Sequence, residues 1–265
     1  ALPVAQDRGL GRPQVTIGLV DVSGQHAVVG LEWSNLTIAG PPRSGRSTAL
    51  SVVALAMRGD HDVVAIGPPS SPLASLELEH AAFGRPDEVA PVLDRLARRL
   101  ADRAMSPGPV RRSVLVIDDL DRFDDPLLGQ LLDRLANADD LLVIAALESR
   151  SMAGYTTSAM VALMRRSRRQ LVLQPDDPGE FLQITGIKLP SRPGLRLPPG
   201  RGVLVSDRTT SIVQVACLGD PTAGGWSTRP PAPGVPDRPV ATPVAATPSA
   251  STPESVACDR QPARR

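Results

Sequence analysis

The sequence has few cysteines and almost no net charge. Cys217 and Cys258 have neither the number nor the spacing of a disulfide framework or a metal site, which indicates a reducing compartment. The formal net charge is +1, from 29 basic and 28 acidic residues, so the chain as a whole does not attract nucleic acid electrostatically. Basic residues do cluster locally, as RRSRR at 165–169 and PARR at the carboxyl terminus.

Long hydrophobic runs are also missing. No apolar run reaches the roughly 18 residues that a membrane-spanning helix needs, and no signal peptide is visible. The sequence begins with Ala1 rather than Met, and we expect it to be a C-terminal piece of a longer protein. We therefore expect a cytoplasmic domain, with any membrane association made through segments upstream of residue 1.

The composition changes near residue 218. Residues 219–265 are rich in Pro, Ala, Thr and Ser and have no apolar periodicity, so they cannot bury enough surface to offset the entropy of ordering. We predict one globular domain over residues 1–218, a size within the usual single-domain range, followed by a disordered tail over 219–265.

Within residues 1–218, apolar runs alternate with helical stretches. The pattern predicts a strand, a Ser-Gly turn and a strand over 14–33, and a closing hairpin over 201–218. Buried strands are predicted at 35–40, 61–67, within 111–123, 140–149 and 169–174. Helices are predicted at 47–58, 87–104, 125–138, 156–167 and 177–186. This alternation predicts an α/β fold whose mostly parallel sheet is covered by helices on both faces, with ligands at the carboxyl ends of the strands.

A glycine-rich loop, GPPRSGRS at 40–47, separates a predicted strand from a predicted helix and fits G-x-x-x-x-G-[K/R]-[S/T]. Glycines let backbone N–H groups wrap around phosphate oxygens, and the helix adds its positive N-terminal dipole. Ser47 would offer its hydroxyl to Mg²⁺, with Thr48 as the second choice. The predicted nucleotide-binding residues are Gly40, Pro41, Pro42, Arg43, Ser44, Gly45, Arg46, Ser47 and Thr48. The alternative is a glycine-rich turn capped by Ser44 or Ser47.

Arg46 stands where such loops normally have lysine. Lysine is a compact point charge that reaches the β- and γ-phosphates, whereas arginine is longer and planar, so the exchange is not conservative. Binding can survive this change with altered geometry. Hydrolysis is more sensitive than binding to this exchange, because catalysis depends on placing positive charge where the transition state develops negative charge.

An acidic pair, Asp118 and Asp119, follows a predicted strand about 70 residues after the loop. A strand-end aspartate at this position can hold Mg²⁺ through water, and the next acid can orient the attacking water. We assign the first role to Asp118 and the second to Asp119, which make up the predicted catalytic pair. Many such enzymes use glutamate in the second role, and Asp119 is one methylene shorter. The alternative is an acidic turn after a buried strand.

Other polar residues near the predicted site have open assignments. Glu148 or Ser149 could sense the γ-phosphate, or could form a helix cap or a solvated turn. Four arginines are either arginine fingers for a neighbouring subunit or a solvated basic face, and the second interpretation is favoured. They are Arg150, Arg165, Arg166 and Arg168.

With these residues established, the sequence resembles the FtsK/SpoIIIE family of P-loop translocases. Within that family it looks most like a C-terminal ATPase module of the actinobacterial type VII secretion (EccC-like) kind. The resemblance covers residues 1–218 and rests on LTIAGPPRSGRSTAL, SVLVIDDLDRF and the closing LPPGRGVLVSDRTTSIVQVA.

The resemblance implies a RecA-like P-loop core that uses ATP and Mg²⁺. It further implies hexameric rings, or sister modules of one chain, that pump DNA or secreted protein. Residues 40–48 would be the Walker A loop, Asp118 with Asp119 the Walker B pair, and residues 199–202 the family's structural closing turn. Arg46 and Asp119 depart from the family pattern, as in later modules of multi-module members that look catalytically degenerate.

Three functions are therefore compared. The leading hypothesis is an ATP-binding translocase module with slow or regulatory hydrolysis. The second is a fully active, DNA-translocating motor ATPase, against which the weak net charge counts. The third is a non-enzymatic scaffold whose vestigial pocket docks a partner peptide.

Overall fold

A computed structural model describes residues 14–217, apart from positions 22, 32–34, 106–110, 124, 139, 190–196 and 208. The tail predicted to be disordered, 219–265, lies outside the described residues, as do the predictions for residues 1–13. Among the described helices, none combines the length and the apolar character that a bilayer crossing requires.

Ten strands in the described part of the chain form one mixed sheet with the order β2-β1-β10-β9-β8-β3-β7-β6-β4-β5. Their bounds are β1 Gln14–Val20, β2 His26–Gly30, β3 Leu36–Gly40, β4 Asp62–Gly67, β5 His80–Phe83, β6 Ser113–Ile117, β7 Leu141–Glu148, β8 Arg169–Leu173, β9 Arg201–Ser206 and β10 Thr209–Val215.

Six α-helices lie between these strands in the described residues. They are α1 Arg46–Met57, α2 Pro86–Met105, α3 Pro126–Ala136, α4 Ser149–Ala153, α5 Ala159–Arg165 and α6 Pro178–Thr185. Two short 3₁₀ helices cover Pro72–Leu76 and Leu120–Arg122.

The central part of the sheet is parallel, as the sequence predicts. β3 pairs in parallel with β7 and β8, β6 with β7 and β4, and β4 with β5. β5 was not predicted, because it has four residues and all of them are only half-buried. The five-residue helix α4 was also missed. Neither element is long enough to show a clear hydrophobic period.

The two hairpins at the ends of the described chain meet at one edge of the sheet. β9 pairs with β8 and β10, β10 pairs with β1, and β1 pairs with β2, all antiparallel. The close pairing depends on glycine, since a Cβ at Gly18 would lie 1.9 Å from the Gln214 carbonyl oxygen. At Gly202, a Cβ would lie 2.3 Å from the Val172 carbonyl oxygen. The sequence predicts each hairpin but not their contact.

Helices cover both faces of the sheet, and this prediction is confirmed. Successive residues of a buried strand belong to opposite faces: Ile38 packs in the same cluster as helix α1, and Ala39 packs with helices α2, α3, α5 and α6. This two-sided burial explains why the central strands are apolar throughout. It also leaves the strand ends as the places where polar side chains can gather.

Candidate functional site

The glycine-rich loop lies at the carboxyl end of β3, in the middle of the sheet between β7 and β8. Gly40 ends β3 and α1 begins at Arg46. Gly40 has no room for a side chain, because a Cβ there would lie 2.5 Å from Ser44 Oγ. Arg43 and Gly45 have the left-handed φ values of 64° and 97° that turn the loop into the helix. These features position the loop where the sequence predicts a phosphate site.

The start of α1 does not support the alternative of a serine-capped turn. The N-cap residue is Gly45, and no side chain forms a capping hydrogen bond there. The first N–H groups of α1 therefore have no side-chain cap, which is the arrangement that suits an anion at a helix N-terminus.

Ser47 and Asp118 meet across 71 positions of sequence, with Ser47 Oγ donating to Asp118 Oδ1 at 3.0 Å. Ser71, which follows β4, donates its hydroxyl to the other carboxylate oxygen at 2.7 Å. Asp118 is 1% exposed. Burial raises the pKa of Asp118, while the hydrogen bonds from Ser71 and Ser47 oppose that rise. Ser71 was not predicted, although Ser71 and Asp118 follow neighbouring strands.

The Ser47 and Asp118 pair fits a magnesium ion. A hydroxyl that donates its proton still has two lone pairs, so Ser47 can offer oxygen to a cation while it holds Asp118. Mg²⁺ prefers oxygen ligands and retains several waters, which suits a carboxylate that acts through water. Among the described residues, no group of three His, Cys, Asp or Glu side chains could hold a metal on its own. The ion would thus depend on nucleotide phosphates as well.

Arg46 and Asp119 form an ion pair at the same edge of the sheet. Arg46 Nη2 lies 3.1 Å from Asp119 Oδ1, and the two side chains are 9% and 15% exposed. Arg122 Nε lies 3.3 Å from the second oxygen, Asp119 Oδ2. Both oxygens of Asp119 are thus held by cations. Arg122 was not predicted, since its place depends on the 3₁₀ turn at Leu120–Arg122.

One nitrogen of the Arg46 guanidinium is left over. Nη1 is buried and has no hydrogen-bond partner among the described residues, and the same holds for Ser44 Oγ. A buried donor without a partner costs free energy, so this nitrogen is available to an acceptor that enters the loop. Phosphate oxygens are suitable acceptors for it.

The closing turn at residues 199–202 supports the loop, although it is not among the predicted nucleotide-binding residues. The Gly200 N–H donates to the Ser44 carbonyl at 2.7 Å. A Cβ at Gly45 would lie 3.1 Å from Gly200 N, so the two glycines allow this close approach. The family resemblance implies a structural role for residues 199–202, and this contact shows that the turn supports the loop.

Glu148 lies at the same edge, directly opposite Gly40 in the register of β7 and β3. Its carboxylate pairs with Arg150 Nε at 3.1 Å, and its backbone N–H donates to Asp121 at 3.3 Å. Ser149 is buried and begins α4. Glu148 thus lies beside the start of the loop, and its carboxylate pairs with Arg150.

The candidate arginine fingers differ in their contacts and in their exposure. Arg165 donates to the carbonyls of Ser151 and Gly154 and so links α5 to the segment around α4. Arg166 is exposed and donates to Ala162, and Arg168 is exposed. Of the four, Arg165 has a structural role within the domain.

The fold is the RecA-like fold of P-loop ATPases, with a glycine-rich loop and an acidic strand end at the expected edge. No protein-family model matches the sequence, and no curated protein matches it. Solved structures do match. The cytoplasmic domain of the type VII secretion ATPase EccC from Thermomonospora curvata superposes with a TM-score of 0.62 at 19% identity. The match covers 83% of this chain and 28% of that one.

Two further structures give the same result. EccC (ATPases 2 and 3) from Thermomonospora curvata, in complex with a signal sequence peptide, matches with a TM-score of 0.61 at 18% identity, over 78% of this chain and 41% of that one. EssC (ATPases 2 and 3) from Geobacillus thermodenitrificans matches with a TM-score of 0.62 at 15% identity, over 80% and 42%. This chain thus spans less than half of each structure. The resemblance suggested by the sequence is confirmed at the level of the fold.

Proposed function

We propose that this chain is an ATP-binding module of an FtsK/SpoIIIE-type ring translocase with slow or regulatory hydrolysis. The observation that carries the proposal is the hydrogen bond from Ser47 to Asp118. It joins the loop after β3 to the acid after β6, two motifs that each predict the other's position. A glycine-rich turn with no ligand would not need a buried carboxylate beside its first helical turn.

Each residue of the site has a definite role in this proposal. Pro41 and Pro42 have no backbone N–H, so the N–H groups of residues 43–48 would surround the triphosphate, and Arg46 would supply positive charge to the β- and γ-phosphates. Ser47 would hold Mg²⁺ directly, and Asp118 would hold it through water. Bound Mg²⁺ would neutralise phosphate charge. Ser71 keeps the Asp118 carboxylate oriented, because it holds the oxygen that Ser47 does not reach.

Slow hydrolysis follows in this proposal from the ion pair of Asp119. A residue that orients water needs a basic carboxylate, and the ion pairs with Arg46 and Arg122 draw negative charge from both oxygens of Asp119 and make them weaker acceptors for water. Its side chain is also one methylene shorter than that of glutamate. If Arg46 and Asp119 limit the rate of hydrolysis, the double variant Arg46→Lys, Asp119→Glu will release phosphate faster than the wild type. An unchanged rate would contradict this explanation.

The translocated substrate is proposed to be protein rather than DNA. Two observations support this: the net charge of +1 supplies little attraction for a phosphate backbone, and one EccC structure of the same fold contains a signal sequence peptide. Ring assembly with further copies or sister modules is part of the same proposal. Stimulation of hydrolysis by double-stranded DNA, falling steeply with salt, would instead favour the DNA motor.

Equilibrium titration with Mg-ATP tests the proposal. Gly45→Val and Arg46→Ala are expected to abolish binding, because the first fills the loop and the second removes its cation. Gly186→Val is the matched control, since Gly186 also has a left-handed φ, 70°, but lies at the end of α6 with open space around it. Binding that persists unchanged in both loop variants contradicts the proposal. Wild-type protein with no nucleotide affinity would favour the scaffold.

A further inference from the structure

We propose that Asp119 competes with the γ-phosphate for Arg46 and so selectively weakens the binding of triphosphate relative to diphosphate. The inference rests on the proposed function, since it concerns a nucleotide bound by the same loop. It assigns Asp119 a role in ligand discrimination instead of the predicted role in orienting water.

The two ends of the Arg46 guanidinium are in different states. Nη2 is engaged by Asp119 Oδ1 at 3.1 Å, whereas Nη1 is buried without a partner among the described residues. A β-phosphate can therefore accept a hydrogen bond from Nη1 while the ion pair with Asp119 stays intact. Diphosphate binding needs no rearrangement of this pair.

A γ-phosphate meets a different situation. It brings further negative charge toward the same guanidinium, whose other nitrogen already holds a carboxylate. Like charges that share one cation in a partly buried site repel each other, because solvent screens them weakly. The triphosphate must either displace Asp119 from Arg46 or bind beside its charge, and both alternatives reduce its affinity.

Both carboxylate oxygens of Asp119 are engaged, so displacing the carboxylate from Arg46 also disturbs its contact with Arg122. The φ of Asp119 is 48°, a left-handed conformation that is uncommon for a residue with a side chain. The backbone N–H of Arg122 donates to the Asp119 carbonyl at 2.9 Å, and the Arg122 side chain holds Oδ2. Arg122 is 66% exposed, so water screens its charge and it offsets only part of the repulsion.

Titrations of the full chain with Mg-ADP and with a Mg-bound, non-hydrolysable ATP analogue test this inference. In Asp119→Asn, the affinity for the analogue is expected to rise by about tenfold, while the affinity for ADP changes by less than about twofold. Asp121→Asn is the matched control. It removes the same charge two residues away, from a side chain that contacts Glu148 and Ser151, and should leave the ratio of the two affinities unchanged.

A double-mutant cycle shows whether the effect passes through Arg46. In an Arg46→Lys background, which keeps a cation in the loop but has no second nitrogen to share between Asp119 and a phosphate, Asp119→Asn should change the ratio of the affinities much less. Equal gains for both ligands, a loss of analogue affinity in Asp119→Asn, or a gain of the same size in the Arg46→Lys background would each overturn the inference. Wild-type protein that binds neither ligand would instead refute the proposed function itself.

Discussion

At the scale of single residues, Arg46 in the predicted phosphate loop reflects the general use of arginine instead of lysine in this sequence. Lys188 is the only lysine in the sequence, so arginine supplies the positive charge almost everywhere. The identity of residue 46 is therefore weak evidence of lost function by itself. The ion pair with Asp119 is stronger evidence, because it engages one nitrogen of the guanidinium with a carboxylate.

His61 gives a residue-scale prediction about pH. Burial, the largest cause, lowers the pKa of His61 below its ordinary value of 6.5. The charges of Arg112 and Arg111 act in the same direction, while Asp60 and a hydrogen bond with the Met57 backbone oppose it. The folded protein thus favours the neutral imidazole.

The sign of the effect follows from linkage. Well above the unfolded-state pKa of about 6.5, His61 is neutral in both states, and as the pH falls the unfolded chain takes up the proton first. The free energy of unfolding of the wild type, measured relative to His61→Gln, should therefore decrease from about pH 7 downward until the folded protein also binds the proton. Urea titrations at several pH values check this. A difference that is flat, or that grows as the pH falls, would show that His61 is not buried in its neutral form.

How far the site could be predicted also depends on particular residues. The loop at 40–48 and the acid Asp118 have a spacing and a strand context that reveal them in sequence. Ser71 and Arg122 reach the site through the order of the strands and through a tight turn, and no local pattern marks them. Gly200 belongs to the closing turn that the resemblance identified, but its contact with the loop was not predicted. The pairing of Arg46 with Asp119 is a tertiary contact and was equally hidden.

At the scale of elements, the long helices and the apolar strands were predicted well. The stripe Val89, Leu93, Leu96 and Leu100 is buried along α2, because its spacing matches the turn of a helix. The ends of α1 differ from the prediction by one residue. The β1–β2 and β9–β10 hairpins were predicted separately, but the adjacency of β1 and β10 depends on chain packing over about 200 positions. Periodicity does not report such contacts.

An element-scale prediction concerns the joint between α2 and β4. Asp62 begins β4 and pairs with Arg99 and Arg103, which lie one turn apart on α2. Arg103 also donates to Ser113 at 2.7 Å, at the start of β6. The three charged side chains are 18%, 33% and 15% exposed, so removing the carboxylate leaves two poorly solvated cations.

Asp62→Ala should therefore lower the free energy of unfolding by about 2 kcal/mol, measured by urea denaturation. Asp94→Ala is a suitable comparison, because Asp94 pairs with Arg98 on the same helix, but that arginine is 75% exposed. This second change should cost less than about 0.5 kcal/mol. Equal costs for the two variants would show that the contact between α2 and β4 gains nothing from Asp62.

At the scale of the whole molecule, the domain division is still a proposal, because residues 218–265 lie outside the described part. We expect a chain of residues 1–218 to have the thermal unfolding midpoint and the Mg-ATP affinity of the full chain, within experimental error. The reason is that the core residues in both hydrophobic clusters come from within this range. A midpoint lowered by several degrees would show that the tail packs against the domain.

The hydrogen bond from Gly200 to Ser44 has a consequence for synthesis on the ribosome. Gly200, which supports the loop, is translated more than 150 positions after Ser44. A nascent chain whose loop has left the ribosome therefore still lacks the Gly200 contact that supports the loop. In the proposed module, ATP would therefore stabilise the domain only after β9 and β10 have been translated and have folded.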